Sequence, residues 1–290
     1  MINTNNSDPM KITRSQFMKM VTAAAASFPL SSAAHTGAHR QRLQDVGLNL
    51  GLASYTLRKL DLDQVINVSV RLGLKSIALK SMHMPLDAPA EQIKELSAKV
   101  RKAGLDLYGA GVIYMKSKEE VEAAFAYARA AGLRMIVGVP NHDLLSLTNE
   151  LVKKHDIRLA IHNHGPGDDL YSSPHDVWAK IKSLDTRIGL CIDIGHVVRI
   201  GQDPVPMIEQ YKDRLYDMHM KDVDKAEPKG ASVEIGRGVI DIPRVVRALK
   251  KINYQGSVAF EYEKDGDDPV PGLAESVGYV RGIARMVSTT

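Results

Sequence analysis

From residue 48 onward, short apolar runs rich in β-branched residues alternate with longer stretches in which apolar positions recur every three or four residues. A continuous apolar run suits a strand buried on both faces, and the longer period suits a helix with one apolar stripe, so the alternation predicts βαβ units and a parallel sheet. The strand-like runs fall at residues 48–56, 76–80, 106–114, 135–140, 158–164, 188–196, 215–222 and 257–263. Helical stretches lie between them. Those at 90–103 and 118–131 run into Gly104 and Gly132, and glycine is the residue that most readily takes the left-handed conformation ending a helix. Eight such units predict an α/β fold, a single (β/α)8 TIM barrel. A doubly wound open sheet would place a glycine-rich phosphate loop after its first strand, and none stands there.

Composition agrees with one large core: 290 residues, 44% of them hydrophobic, against about 250 residues for a usual barrel of this kind. The surplus sits at the front, where residues 1–43 read as a leader and 44–290 as the barrel. Thr13-Arg14-Ser15-Gln16-Phe17-Met18-Lys19 precedes a small-residue apolar segment, an order similar to a twin-arginine export signal with Ser15 in place of the second arginine. The expectation is an exported, periplasmic protein, with a cytoplasmic one as the alternative. No apolar run reaches the roughly 20 residues that a membrane-spanning helix needs. The leader also carries the charge: Lys11, Arg14, Lys19, Arg40 and Arg42 against Asp8 give 5 − 1 = +4, the whole formal net charge of +4. A body summing to zero gives no global attraction for nucleic acid. The single cysteine, Cys191, lies between Leu190 and Ile192 and suits a packed strand position.

Core strands should be apolar throughout, so the places where they stop being apolar carry information. All stop at their C-terminal ends. The second reaches Lys80, with His83 shortly after; the fifth His162-Asn163-His164; the sixth Asp193, with His196 after it; the seventh His219, Lys221 and Asp222; the last Glu261 and Glu263. In a barrel these ends converge on the mouth where such folds place their chemistry. Imidazoles and carboxylates together suit Zn, Mn, Co or Fe. Trp178, on a helical stretch, suits packing better than a sugar platform.

At these residues the chain resembles the xylose isomerase-like barrels, a superfamily including sugar isomerases, ketose 3-epimerases, inosose dehydratases and endonuclease IV. The resemblance covers about residues 46–285 and rests on Cys-Ile-Asp-Ile-Gly-His (191–196), Asp-Met-His-Met-Lys-Asp (217–222), Gly-Arg-Gly-Val-Ile-Asp (236–241) and Phe-Glu-Tyr-Glu (260–263). In the epimerase branch a Glu, an Asp, a His and a second Glu hold the metal. The resemblance implies Asp193, His219 and Glu261 as the last three ligands, with His162 standing where epimerases keep the first glutamate. A metal-bound imidazole has no lone pair left to move protons, so metal binding carries over more safely than epimerisation.

The resulting expectation is a divalent-metal-dependent sugar isomerase or epimerase that abstracts a proton beside a carbonyl through a stabilised enediolate. The alternative is a lyase or hydrolase of keto-sugar glycosides working by β-elimination. Less favoured are an endonuclease IV-like nuclease and a non-catalytic sugar-binding barrel. Glu261, Lys80 and Lys221 are the expected catalytic groups, Lys221 having an ion pair with Asp222 or Asp193 as its alternative role. His83, His164, His196, Arg199 and Arg237 are expected to contact a small carbohydrate, Arg199 with an exposed loop position as its alternative, and homo-oligomers are compatible with the fold.

Overall fold

The computed structural model describes residues 46–287; the leader expected over residues 1–43 lies outside them. Seven parallel strands come first: β1 (Asn49–Ala53), β2 (Ser76–Leu79), β3 (Asp106–Met115), β4 (Met135–Pro140), β5 (Arg158–His162), β6 (Ile188–Asp193) and β7 (Leu215–Met220). A small antiparallel hairpin, β8 (Asp222–Val223) and β9 (Ser232–Val233), precedes the last barrel strand, β10 (Ser257–Phe260). The eight long strands close in the order β1-β10-β7-β6-β5-β4-β3-β2. This is the single (β/α)8 barrel that the alternating pattern predicts. Among the described residues no helix is long and apolar enough to cross a membrane.

Period two divides each strand between two environments. Ile161, Ile192, Met218, Met220 and Phe260, all fully buried, occupy one face of the sheet. Their neighbours His162, Asp193, His219 and Glu261 occupy the other, inside the barrel. Helices follow the strands with local signals that the sequence carries. Lys118–Ala130 starts where the Ser117 side chain accepts from Glu120 N–H, and Pro174–Ile181 opens with a reciprocal cap between Ser173 and Asp176. Gly104 and Gly132 follow their helices at φ +84° and +61°, as helix stops should.

Several strands are shorter than the apolar runs suggest, and side chains explain the stops. β6 ends at Asp193, not residue 196, because its carboxylate accepts from His196 N–H and starts the short helix Ile194–Arg199. β5 ends at His162: Asn163 turns its amide across to the Asp193 backbone, donating to the carbonyl at 3.3 Å and accepting from N–H at 3.0 Å. β1 gives way after Ala53 to a 3-10 turn, Ser54–Leu57. β7 stops at Met220 because Asp222 enters the hairpin. There its buried carboxylate accepts from the backbone N–H groups of Val223, Gly236, Gly238 and Ile240. That knot explains Gly238: a Cβ there would lie 2.1 Å from Asp222 Oδ1.

Candidate metal centre

β5, β6, β7 and β10 are consecutive neighbours in the barrel. Their inward side chains at the C-terminal end are His162, Asp193, His219 and Glu261, none more than 6% exposed. The register pairs Asp193 with His219 directly. One donor atom from each of the four lies within 4.8 Å of those of the others. Atoms bound at about 2.0–2.2 Å to one ion are up to about 4.4 Å apart, so a small inward movement closes the set. His162 Nε2 faces His219 Nδ1 at 3.0 Å, and Glu261 Oε2 lies 3.0 Å from the same Nδ1.

The electrostatics suit a cation. Asp193 is held well below the usual carboxylate range: burial alone would raise it, but the Lys221 ammonium and neighbouring histidines overcome that. Glu261 is lowered likewise, against burial, by His219 and Lys221. Burial lowers His162 to about 4, so its ring is neutral and offers a lone pair near pH 7. For His219 burial acts downward, yet Glu261 lifts it to about 9, and an ion would take the place of that proton. Asp193 Oδ2 is buried without a hydrogen bond of acceptable geometry, although Lys221 Nζ is only 3.0 Å away. A buried oxygen with an unused lone pair among neutral imidazoles fits a resident divalent ion.

A model of the family described as "Xylose isomerase-like TIM barrel" matches residues 66–283. The chain belongs to this family. Over 138 residues it is 27% identical to the inosose dehydratase of Clostridium tetani, a match covering 42% of this chain and 45% of that protein. The chain thus spans less than half the length of that relative. Two solved structures share the fold. A xylose isomerase domain protein from Planctomyces limnophilus is 15% identical with a TM-score of 0.65, covering 84% of this chain and 99% of the other. The IolI protein, solved with a bound zinc atom, is 13% identical with a TM-score of 0.69, covering 84% and 100%.

Within this xylose isomerase-like barrel the other expected site residues divide into three groups. His164 and His196 join the cluster, their rings 4.5 and 5.8 Å from that of His162. Burial lowers them to about 4 and 3. Lys221, fully buried in its barrel position, lies within 3.1 Å of Asp193, Glu261 and Glu263 together. Of its two expected roles, the ion pair with Asp193 is the one present. Lys80 faces the cluster from β2: its Nζ donates to Val112 O at 2.6 Å and lies 5.9 Å from the rings of both Tyr55 and Tyr114. Burial lowers its pKa, and Glu261 partly offsets this.

Of the remaining three, His83 and Arg237 stand apart and Arg199 borders the cluster through His196. Both ring nitrogens of His83 are used: Nδ1 meets Ser54 Oγ at 2.9 Å, and Nε2 lies 3.2 and 3.1 Å from the Leu57 and Leu60 carbonyls. It pins the turn after β1. Arg237 pairs with Glu275 at 2.6 Å and is largely exposed. Arg199 donates to Pro228 O at 2.8 Å, with Nη1 3.4 Å from His196 Nδ1. Trp178 packs on Tyr211, ring centroids 5.3 Å apart, as a helix residue.

Two further features escape sequence reasoning. Asp217 lies under His219, 3.9 Å from its Nε2, and accepts from Tyr108 Oη at 3.0 Å. Burial raises its carboxyl to about 6. Its spacing of two residues from His219 on one strand was the available signal. Tyr114 Oη is 2.8 Å from His164 Nε2, and His164 Nδ1 is 3.3 Å from Asp168 Oδ2. These join β3 to the loop after β5, and nothing in the linear spacing announces that meeting.

Proposed function

We propose that this chain is a divalent-metal-dependent lyase that removes a proton beside the carbonyl of a keto sugar or keto cyclitol and expels a hydroxyl or alkoxyl from the next carbon. The observation that carries this is the buried set His162, Asp193, His219 and Glu261 at the barrel mouth. A bound Zn, Mn, Co or Fe ion would polarise the carbonyl and stabilise the enediolate.

The chain's own residues favour single-base chemistry. His162 is buried among the ligands, and Lys221 is held by three carboxylates. Lys80 is the amine with a lowered pKa at the mouth, a property suited to a general base. An epimerase returning the proton to the opposite face needs a second base, and the glutamate that would offer one is replaced by His162. Tyr114, a half-exposed residue with its hydroxyl anchored on His164, is suited to hold the departing oxygen. Elimination also agrees with the dehydratase named above. A second reading, an isomerase, rests on the same Lys80, because one base suffices to move a proton between adjacent carbons on one face.

The test is NMR of a keto cyclitol and of free and glycosidic 3-keto sugars incubated with the metal-loaded chain in deuterated water. Loss of water or alcohol with a new conjugated enone supports the lyase. Deuterium retained in an isomeric sugar, without elimination, supports the isomerase. Neither change, with one equivalent of metal bound, overturns both.

A further inference from the structure

We infer that Lys221 is a built-in surrogate cation: its ammonium holds the ligating carboxylates in place in the metal-free barrel and weakens their grip on the incoming ion, which is therefore acquired after folding and held exchangeably. This rests on the metal centre proposed above and concerns a role that the elimination does not require.

The geometry is specific. Lys221 Nζ lies 3.0 Å from Asp193 Oδ2, 3.1 Å from Glu261 Oε2 and 3.1 Å from Glu263 Oε1. The first two are the oxygens turned toward the histidines, since Asp193 Oδ1 is occupied by His196 N–H and Glu261 Oε2 faces His219. One ammonium therefore touches both carboxylate ligands at the atoms an ion would use. It is held there by packing, because Gly195 lies against its stem: a Cβ on Gly195 would sit 2.7 Å from Lys221 Cδ. With Asp193 0% and Glu261 6% exposed, two adjacent carboxylates without a cation would be strongly disfavoured. Lys221 removes that obstacle to folding without metal. Once His219 has given up its proton to serve as a ligand, the three carboxylates around the one ammonium carry two negative charges in excess, the charge of one divalent ion.

The grip is incomplete in an informative way. Lys221 donates well-formed hydrogen bonds to Glu261 and Glu263 but not to Asp193, whose Oδ2 keeps a free lone pair. Glu263, partly exposed and outside the ligand set, shares the ammonium with the ligating oxygens, so losing Glu263 leaves the ammonium to them alone. Removing the ammonium and removing Glu263 should thus change metal affinity in opposite directions, which a merely destabilised barrel would not do.

The experiment strips the full chain with chelator and titrates Zn2+ against a chromophoric competitor, and Mn2+ by electron paramagnetic resonance, for wild type, Lys221→Met and Glu263→Gln. Expected is one site in wild type, at least tenfold tighter in Lys221→Met and at least threefold weaker in Glu263→Gln. A Lys221→Met chain that folds only when metal is supplied supports the inference equally. Equal or weaker binding by folded Lys221→Met overturns it. If that variant folds under neither condition, Glu263→Gln decides: weaker binding supports the surrogate role, and unchanged binding overturns it. Absence of any site in wild type overturns the metal centre itself, a result distinct from all of these.

Discussion

Removing either charged end of the ligand set should empty the centre. Asp193→Asn removes the charge of one donor and His219→Ala removes another donor outright, and equilibrium dialysis should show affinity for Zn2+ or Mn2+ falling at least 100-fold; retention by both would place the ion elsewhere. At His162 the expectation differs. His162→Glu restores the carboxylate of the epimerase pattern, should keep the metal, and should introduce epimerisation at a carbon beside the carbonyl, read by NMR as the inverted sugar. The metal-free protein should also carry a pH signature. Burial depresses His162, His164 and His196 to about 4, 4 and 3, so each favours folding fully above its unfolded value near 6.5 and loses that contribution as pH falls. Asp217, raised to about 6, works the other way over the acid range but is one group against three. His219, raised to about 9, stabilises fully below 6.5 and ceases to do so as pH rises through 9. Melting temperatures of chelator-treated protein should therefore peak near pH 6.5, with the steeper fall on the acid side; a flat profile would contradict these environments. Of these residues, the four candidate donors that the barrel brings together were legible in the sequence because each interrupts an apolar strand at the same end. It does not reveal that Tyr114 reaches His164, or that His83 is consumed by Ser54 and two carbonyls, because such pairings depend on how separate turns fold over the mouth.

At the level of elements, one carboxylate gathers the turn after β7 and the loop before the helix Ile242–Lys251, alongside the backbone bond from Val239 N–H to Val223 O. Asp222 accepts four backbone N–H groups spread over residues 223–240. Asp222→Ala would leave buried donors unpaired, and a loss of about 3 kcal/mol is expected. Limited proteolysis should report it as new cleavage within residues 224–240, and an unchanged pattern would show that the loop is held by other means. Within the motif 236–241, Gly238 is the residue that lets the backbone approach Asp222. Strand existence was legible from the apolar runs, whereas strand ends were not. Asp193 and Asn163 fall inside the spans 188–196 and 158–164 read as strand, but their side chains divert the backbone into a cap and a cross-strand amide pair.

For the whole barrel, four buried side chains from four strands would make a bound ion a cross-link among consecutive staves. At a free ion concentration 100 times the dissociation constant, binding stabilises by about 2.7 kcal/mol. For a body of this size that corresponds to a melting shift of roughly 5–10 °C. Calorimetry with and without chelator should show it, and no shift would mean that the ion does not bind the native state preferentially. The closed eight-strand order was readable from the count of units alone, since alternation of the two periods survives any error at their boundaries.

The hairpin that Asp222 fastens has a consequence for change over time. Both ends of the segment 222–240 are anchored by backbone bonds to one side chain, while residues 224–229 between them are exposed, with Arg199 reaching in at Pro228. A span fixed at its roots and loose at its tip can be lengthened, shortened or rewritten without disturbing the donors in the barrel wall. In laboratory evolution for new substrates, this tip is the place to randomise first.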